Sequence, residues 1–228
     1  MNDSYYAFAF LGFFAVVVVV AIMVVVIKQK KENERKQEID DYCKKNNLVY
    51  SESAEHIPSG AKNFKLINIA GRNYYAEMSG TQGDYHFSIF DYQYDTGTKK
   101  SGQEHYFTIC VLSGNNIKMP QFFARDENSI VDTLGEMLGG QDIDFDEDPT
   151  FSDKFVLQGK SEPQVREFFD SKVRNAFVKN HKEGYQYEGN QDCFMVSAPE
   201  RLSLKERLVL LTDTTNIFKD IETSSAEK

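Results

Sequence analysis

The sequence predicts an α+β protein in which an N-terminal transmembrane helix precedes a soluble domain with a mostly antiparallel sheet and several packed helices. Residues 7–27 form an apolar stretch without a charged, amide or hydroxyl side chain. Residues 66–123 contain segments that alternate at the period of strands, and later segments repeat apolar residues at the helical period. Because a run of strands precedes mixed helices and hairpins, a parallel doubly wound sheet is disfavoured.

Composition narrows the class of protein. The 228 residues are 41% hydrophobic and 27% charged, include five prolines and carry a formal net charge of −9. These values exclude a wholly disordered chain, a collagen-like repeat and a many-pass membrane protein. An acidic chain whose basic residues concentrate only in residues 28–36 is not expected to bind nucleic acid.

The apolar stretch has the length of a membrane span. Its 21 residues, at about 1.5 Å of helical rise each, reach about 30 Å, the thickness of a bilayer's hydrocarbon core. A lone span must be helical, because lipid offers no partners to unpaired backbone groups. A cleaved signal peptide would need a basic N-terminal region and a shorter apolar run, and MNDSYY has no basic side chain. We therefore expect an uncleaved anchor.

The flanking charges predict the topology. KQKKENERK at residues 28–36 contains five basic side chains, whereas none precedes the span. The positive-inside rule places the C-terminal domain in the cytoplasm and a short tail outside. Cys43, Cys110 and Cys193 are widely spaced and form no CxxC motif, which is typical of a reducing compartment.

The bilayer is the first predicted partner, through residues 7–27. Lys28, Lys30 and Lys31 directly follow the span. Basic side chains in this position attract anionic lipid headgroups, so we expect these three lysines to contact them.

The chain is predicted to have four parts. Residues 1–27 form the external tail and anchor, 28–63 a helical stalk and linker, 64–222 the α+β domain, and 223–228 a disordered tail. The stalk is rich in Lys, Glu, Asp and Gln, with opposite charges at i,i+4 spacing, which predicts a solvated helix. Residues 51–63 have loop composition.

Within the domain, strands are predicted in an antiparallel meander at 73–78, 85–94, 104–112 and 119–125. A short strand at 155–158 and a hairpin of 185–187 with 193–196 follow later. A helix is predicted at 129–138. Two more open with capping boxes, Ser161 with Gln164 and Ser203 with Glu206.

The acidic stretch at residues 142–153 is a weak candidate metal site. The candidate ligands are Asp142, Asp144, Asp146, Asp148 and Asp153. The first three have the 1, 3, 5 spacing of a calcium loop, but Glu147 replaces the glycine at position 6 and Asp153 is shorter than the expected glutamate. In the alternative interpretation, Asp148 caps a short helix that begins with Pro149. The sequence leaves both open.

Other motifs predict structure rather than chemistry. His86 and His105 could be cross-strand neighbours, but no third ligand accompanies them. GKS at residues 159–161 lacks the glycine that a phosphate loop needs at Lys154, so Ser161 is better interpreted as a helix N-cap. The aromatic residues of the strands are expected to divide between core and cross-strand pairs.

Three stretches carry a resemblance: FDYQYDTG at 90–97, DFDEDPTFSDKFVLQG at 144–159, and CFMVSAPERLSLKE at 193–206. Their arrangement resembles an uncharacterised family of bacterial single-pass membrane proteins with a cytoplasmic α+β domain. The resemblance implies a location in the bacterial inner membrane. It implies no activity and no catalytic residue.

These observations favour a membrane-anchored interaction or scaffolding domain with an unidentified protein partner. The alternative is a ligand- or metal-sensing domain that uses the acidic stretch or an aromatic sheet face. An enzyme of unrecognised type, using His86, His105 or Glu104, is less favoured because HExxH, GxSxG and GxGxxG motifs are absent. No cofactor is expected.

Overall fold

The computed structural model describes residues 3–68, 72–95, 104–114, 117–127 and 141–226. It confirms the α+β fold class. The helices are α1 (Asp3–Lys45), α2 (Pro149–Ser152), α3 (Glu162–Phe168), α4 (Ser171–Lys179) and α5 (Leu204–Ala226). The strands are β1 (Val49–Ser51), β2 (Asn73–Gln82), β3 (Tyr85–Asp95), β4 (Glu104–Ser113), β5 (Met119–Asp126), β6 (Phe155–Gly159), β7 (Gln186–Gln191) and β8 (Cys193–Ala198).

All eight strands join one antiparallel sheet in the order β1-β2-β3-β4-β8-β7-β5-β6. The predicted meander is confirmed for β2, β3 and β4. The C-terminal hairpin of β7 and β8 then inserts between β4 and β5, which the order of strands along the chain did not indicate. The predicted helix at 129–138 lies outside the described residues.

Alternation along the strands divides the side chains between two cores. On one sheet face, helices α3, α4 and α5 cover strand residues such as Phe122 and Phe194, and Phe177 of α4 packs against both. On the other face, residues 52–68, hereafter the cover segment, pack Phe64 and Leu66 against the aromatic side chains of β3 and β4. The aromatic residues of the strands, predicted to divide between core and cross-strand pairs, lie in two buried cores on the two faces of a single sheet.

Helix α1 runs without interruption from Asp3 to Lys45. Ile39 and Cys43, four residues apart on one helix face, are fully buried against the sheet and α5. The predicted solvated stalk is therefore wrong over this last part. The helix inserts its two apolar positions into the core, while charged residues such as Glu38 and Lys44 stay exposed.

The predicted linker is also wrong, because residues 49–68 belong to the domain. Buried Glu77 accepts hydrogen bonds from the backbone N–H groups of Glu55 at 2.8 Å and His56 at 3.1 Å. Buried Glu188 accepts from the N–H groups of Lys65 at 2.7 Å and Leu66 at 3.0 Å. Two carboxylates thus fix the cover segment to the sheet.

The C-terminal part differs from the prediction in two places. Helix α5 continues to Ala226, and buried Ser224 donates to the Asp170 carboxylate at 2.5 Å, so the predicted disordered tail is wrong up to this residue. The single helix predicted after Ser161 is two helices, because Asp170 caps a new one, α4. The Ser203–Glu206 capping box is confirmed by a 2.8 Å bond from the Ser203 N–H.

We predict that the Glu188 carboxylate makes stability depend on pH. Burial raises its pKa from 4.5 to about 7, against the opposing effect of the Leu66 and Lys65 N–H groups and the Lys65 ammonium. Because the folded pKa exceeds the unfolded value, the folded state binds the extra proton between these values. The unfolding free energy should therefore fall as the pH rises through 7, by on the order of 3 kcal/mol in total.

Urea unfolding of the detergent-solubilised chain between pH 4 and 8 measures this slope. Glu188→Gln should flatten it, while Glu183→Gln, at an exposed position near the start of β7, should leave it unchanged. An equal slope in wild type and Glu188→Gln would contradict the assignment.

Candidate functional site

The most unusual group of side chains surrounds Asp91, a fully buried carboxylate in the middle of β3. One of its oxygens accepts from Arg207 of α5 at 2.5 Å and from the Thr108 hydroxyl of β4 at 3.1 Å. The other accepts from Arg35 of α1. A single carboxylate therefore joins both long helices to two central strands.

Arg207 is also fully buried, and its other donors are used. It donates to the Ala76 carbonyl at 2.8 Å, at a bulge where β2 shifts register against β3. Ala76 has a φ of 52°, a left-handed conformation that is costly for a residue with a Cβ. The pKa of Arg207 is lowered, because the effect of burial exceeds the opposing effect of the Asp91 charge. The bulge turns the Ala76 carbonyl toward the Arg207 guanidinium, and Asp91 neutralises the charge of that guanidinium.

Arg35 extends the group toward the apolar stretch of α1. It pairs with Glu32 at 2.7 Å and donates to the Leu202 carbonyl at 3.0 Å. Arg35 is eight positions after Ile27, the end of the apolar stretch, which is about 12 Å along a helix. The core of the domain therefore begins within about two helical turns of the apolar stretch.

A cavity of about 640 Å³ opens where the apolar stretch of α1 meets the domain. We call it the junction groove; its described lining is Lys28, Glu104, His105, Tyr106, Phe107, Pro199, Glu200 and Arg201. The Arg201 guanidinium stacks on the Tyr106 ring at 4.0 Å from the centroid and lies 5.2 Å from that of Tyr75. Since Lys28 and Glu104 share the groove, the start of β4 and the paired end of β3 lie at the end of the sheet nearest the apolar stretch.

The acidic stretch lies elsewhere, along the outer edge of β6. An Asp142 side-chain oxygen accepts from the Leu157 N–H at 2.7 Å, and the Ile143 N–H donates to the Leu157 carbonyl at 2.8 Å. The stretch thereby occupies edge-strand groups that would otherwise be open to another chain.

Asp148 has the structural role that the alternative interpretation predicted. It caps α2, accepting from the Phe151 N–H at 3.2 Å, and pairs with buried Arg174 at 2.8 Å. Asp144 and Asp146 are exposed, and Asp153 follows the last residue of α2. Within the described ranges, which include all five candidate aspartates, no group of three or more His, Cys, Asp or Glu side chains could hold a metal ion. The calcium hypothesis stays an untested prediction.

The structure separates the two candidate histidines. His86 pairs with Ser113, and His105 with Tyr94 at the opposite end of the β3–β4 ladder. Asp91 lies on the same strand as His86, and no sequence motif distinguishes it. Its signal was a carboxylate in a strand of aromatic residues, but its partners lie on helices far away in the sequence.

Comparison with known proteins finds a likeness in fold. Neither a protein-family model nor a curated protein sequence matches this chain. The crystal structure of the mycobacterial trehalose monomycolate transport factor A, TtfA, is similar, with a TM-score of 0.55 and 10% sequence identity over 82% of this chain and 93% of that one. At this identity the likeness shows a common fold, and it does not assign a family.

We predict that Asp91→Asn lowers the free energy of unfolding by about 3–5 kcal/mol, because it leaves a buried guanidinium without a countercharge. Arg35→Gln should cost less than half as much, since Arg207 still neutralises Asp91. Urea titration of the detergent-solubilised chain measures both. Asp95→Asn, an exposed change in the same strand, should stay within about 0.5 kcal/mol of wild type. A similarly small effect of Asp91→Asn would show that the junction does not depend on this charge.

We predict that Asp142→Ala destabilises the chain by about 1–2 kcal/mol, because the Leu157 N–H loses its acceptor. The loss should be equal in calcium and in EDTA, and exposed Asp146→Ala should have little effect. Thermal unfolding with both variants makes the comparison. Calcium-dependent stabilisation that both substitutions abolish would instead support a calcium loop.

Proposed function

We propose that this chain is a membrane-anchored interaction or scaffolding protein, rather than an enzyme, whose domain is held in one orientation beside the bacterial inner membrane. The continuity of α1 carries the proposal: the helix passes unbroken from the apolar stretch to the buried Arg35–Asp91 pair. A flexible linker would allow the domain any orientation. A continuous helix whose end is buried in the domain allows far fewer.

The anchoring itself has support from α1. In the described part of the chain it is the one helix long and apolar enough to cross a membrane, with a wholly unburied window of mean hydropathy 2.5. A signal sequence shares these properties. The continuation of α1 into the core supports an anchor, because the helix is then part of the folded domain. Lys30 and Lys31 are exposed just beyond the stretch, in position to contact anionic headgroups.

The fold neighbour supports the choice of role. TtfA is named as a transport factor, which is compatible with an interaction role for this chain, and we propose a membrane-embedded protein as the partner. The end of the sheet beside Lys28 is the surface that the anchor brings closest to such a partner.

Topology can be tested with two engineered cysteines. Cys43, Cys110 and Cys193 are buried, and burial raises the pKa of Cys110 to about 12, so the native thiols should not react in the folded chain. In intact cells a membrane-impermeant maleimide should label Ser4→Cys and not Asp84→Cys, which should react only after permeabilisation. Labelling of Asp84→Cys from outside would overturn the cytoplasmic assignment.

The interaction can be tested with photo-crosslinking side chains at the two ends of one hairpin. Asn73, at the exposed start of β2, lies at the membrane-facing end, and Asp84, in the β2–β3 turn, lies at the other. We expect a discrete crosslinked membrane protein from position 73 and none from position 84. A Gly-Ser insertion between Lys31 and Glu32, which frees the orientation, should abolish it. Crosslinking that survives the insertion would contradict a role for fixed orientation.

A further inference from the structure

The junction groove opens at a defined depth. Lys28, part of its lining, directly follows Ile27, the last residue of the apolar stretch. If residues 7–27 fill the hydrocarbon core, as the proposed function requires, Lys28 lies at the level of the lipid headgroups. The molecules that crowd this level are phospholipids, and the groove faces them from the side of the domain.

The described lining carries balanced charge. Lys28 and Arg201 are basic, and Glu104 and Glu200 are acidic. An anionic headgroup would meet two carboxylates as well as two cations. A headgroup that carries both a phosphate and an ammonium would find an opposite charge for each.

Donors and acceptors are available for such a ligand. The Arg201 Nε atom is buried and has no hydrogen-bond partner, although the guanidinium lies 3.9 Å from Glu32 and stacks on Tyr106. Lys28 and Glu200 are exposed. The Glu104 carboxylate accepts from the Tyr106 hydroxyl and keeps further lone pairs. The polar groups therefore lie beside the aromatic side chains of Tyr106 and Phe107, and the cavity volume is typical of small-ligand sites.

We propose that the junction groove binds the headgroup of a zwitterionic phospholipid with a primary ammonium, such as phosphatidylethanolamine. The phosphate oxygens accept from Lys28 and Arg201. The ammonium donates to Glu104 and Glu200. A trimethylammonium group cannot donate hydrogen bonds, and Arg201 already covers a face of the Tyr106 ring that could otherwise receive it. The bound lipid would add a second attachment of the domain to the bilayer, beside α1.

The test is native mass spectrometry of the full chain in detergent, titrated with dihexanoyl lipids that differ only in headgroup. Phosphatidylethanolamine should bind saturably and at least tenfold more tightly than phosphatidylcholine or phosphatidylglycerol. Lys28→Gln and Glu200→Gln should each weaken it about tenfold, which corresponds to the loss of one charge-assisted hydrogen bond. Exposed Lys45→Gln and Glu38→Gln make the same charge changes outside the groove and should not weaken binding.

Other outcomes overturn the inference. Equal binding of the three lipids, or an equal effect of Lys28→Gln and Lys45→Gln, would leave only nonspecific electrostatic attraction. Soluble glycerophosphoethanolamine binding as tightly as the lipid would assign the groove to a free metabolite. Membrane fractionation of the same chain separates the two proposals. If the chain integrates into the membrane but shows no headgroup preference, only this inference is overturned. If the chain does not integrate, both this inference and the proposed function are overturned.

Discussion

The Asp91 carboxylate is the interaction on which the arrangement of the molecule depends. It lies in the centre of the sheet and is contacted by Arg35 from the first helix and Arg207 from the last. Removing three charges from water is costly, and only complete pairing offsets the cost. The relative placement of α1, the sheet and α5 is therefore constrained to one geometry in which all three charges meet.

The same principle operates on the opposite face of the sheet. Glu77 and Glu188 are buried, and the side chain of each accepts hydrogen bonds from backbone N–H groups of the cover segment. Buried carboxylates thus attach both the first helix and the cover segment to a sheet that would otherwise leave one face open. The consequence is a domain joined to the apolar stretch by a continuous helix, whose end is also a structural element of the core.

The acidity of the chain has a structural explanation in part. Asp142 protects the outer edge of β6, Asp148 caps α2 and pairs with Arg174, and Asp170 caps α4. Edge protection matters in an open sheet, because unpaired strand groups invite pairing with another copy. The carboxylates of the junction groove, Glu104 and Glu200, differ from these, since they line an open cavity at the level of the proposed lipid headgroups.

The sequence by itself determined the apolar span, the α+β class, the strands β2 to β5 and the cap at Ser203, because these depend on local periodicity and near neighbours. It also predicted a stalk, a linker and a frayed tail, all of which the tertiary structure incorporates into the domain. Only the tertiary structure decided that β8 lies beside β4 and that Asp91 meets Arg35 and Arg207. Asp91 is 56 positions from Arg35 and 116 positions from Arg207 in the sequence. A charged residue in the sequence does not reveal whether a distant partner will bury it.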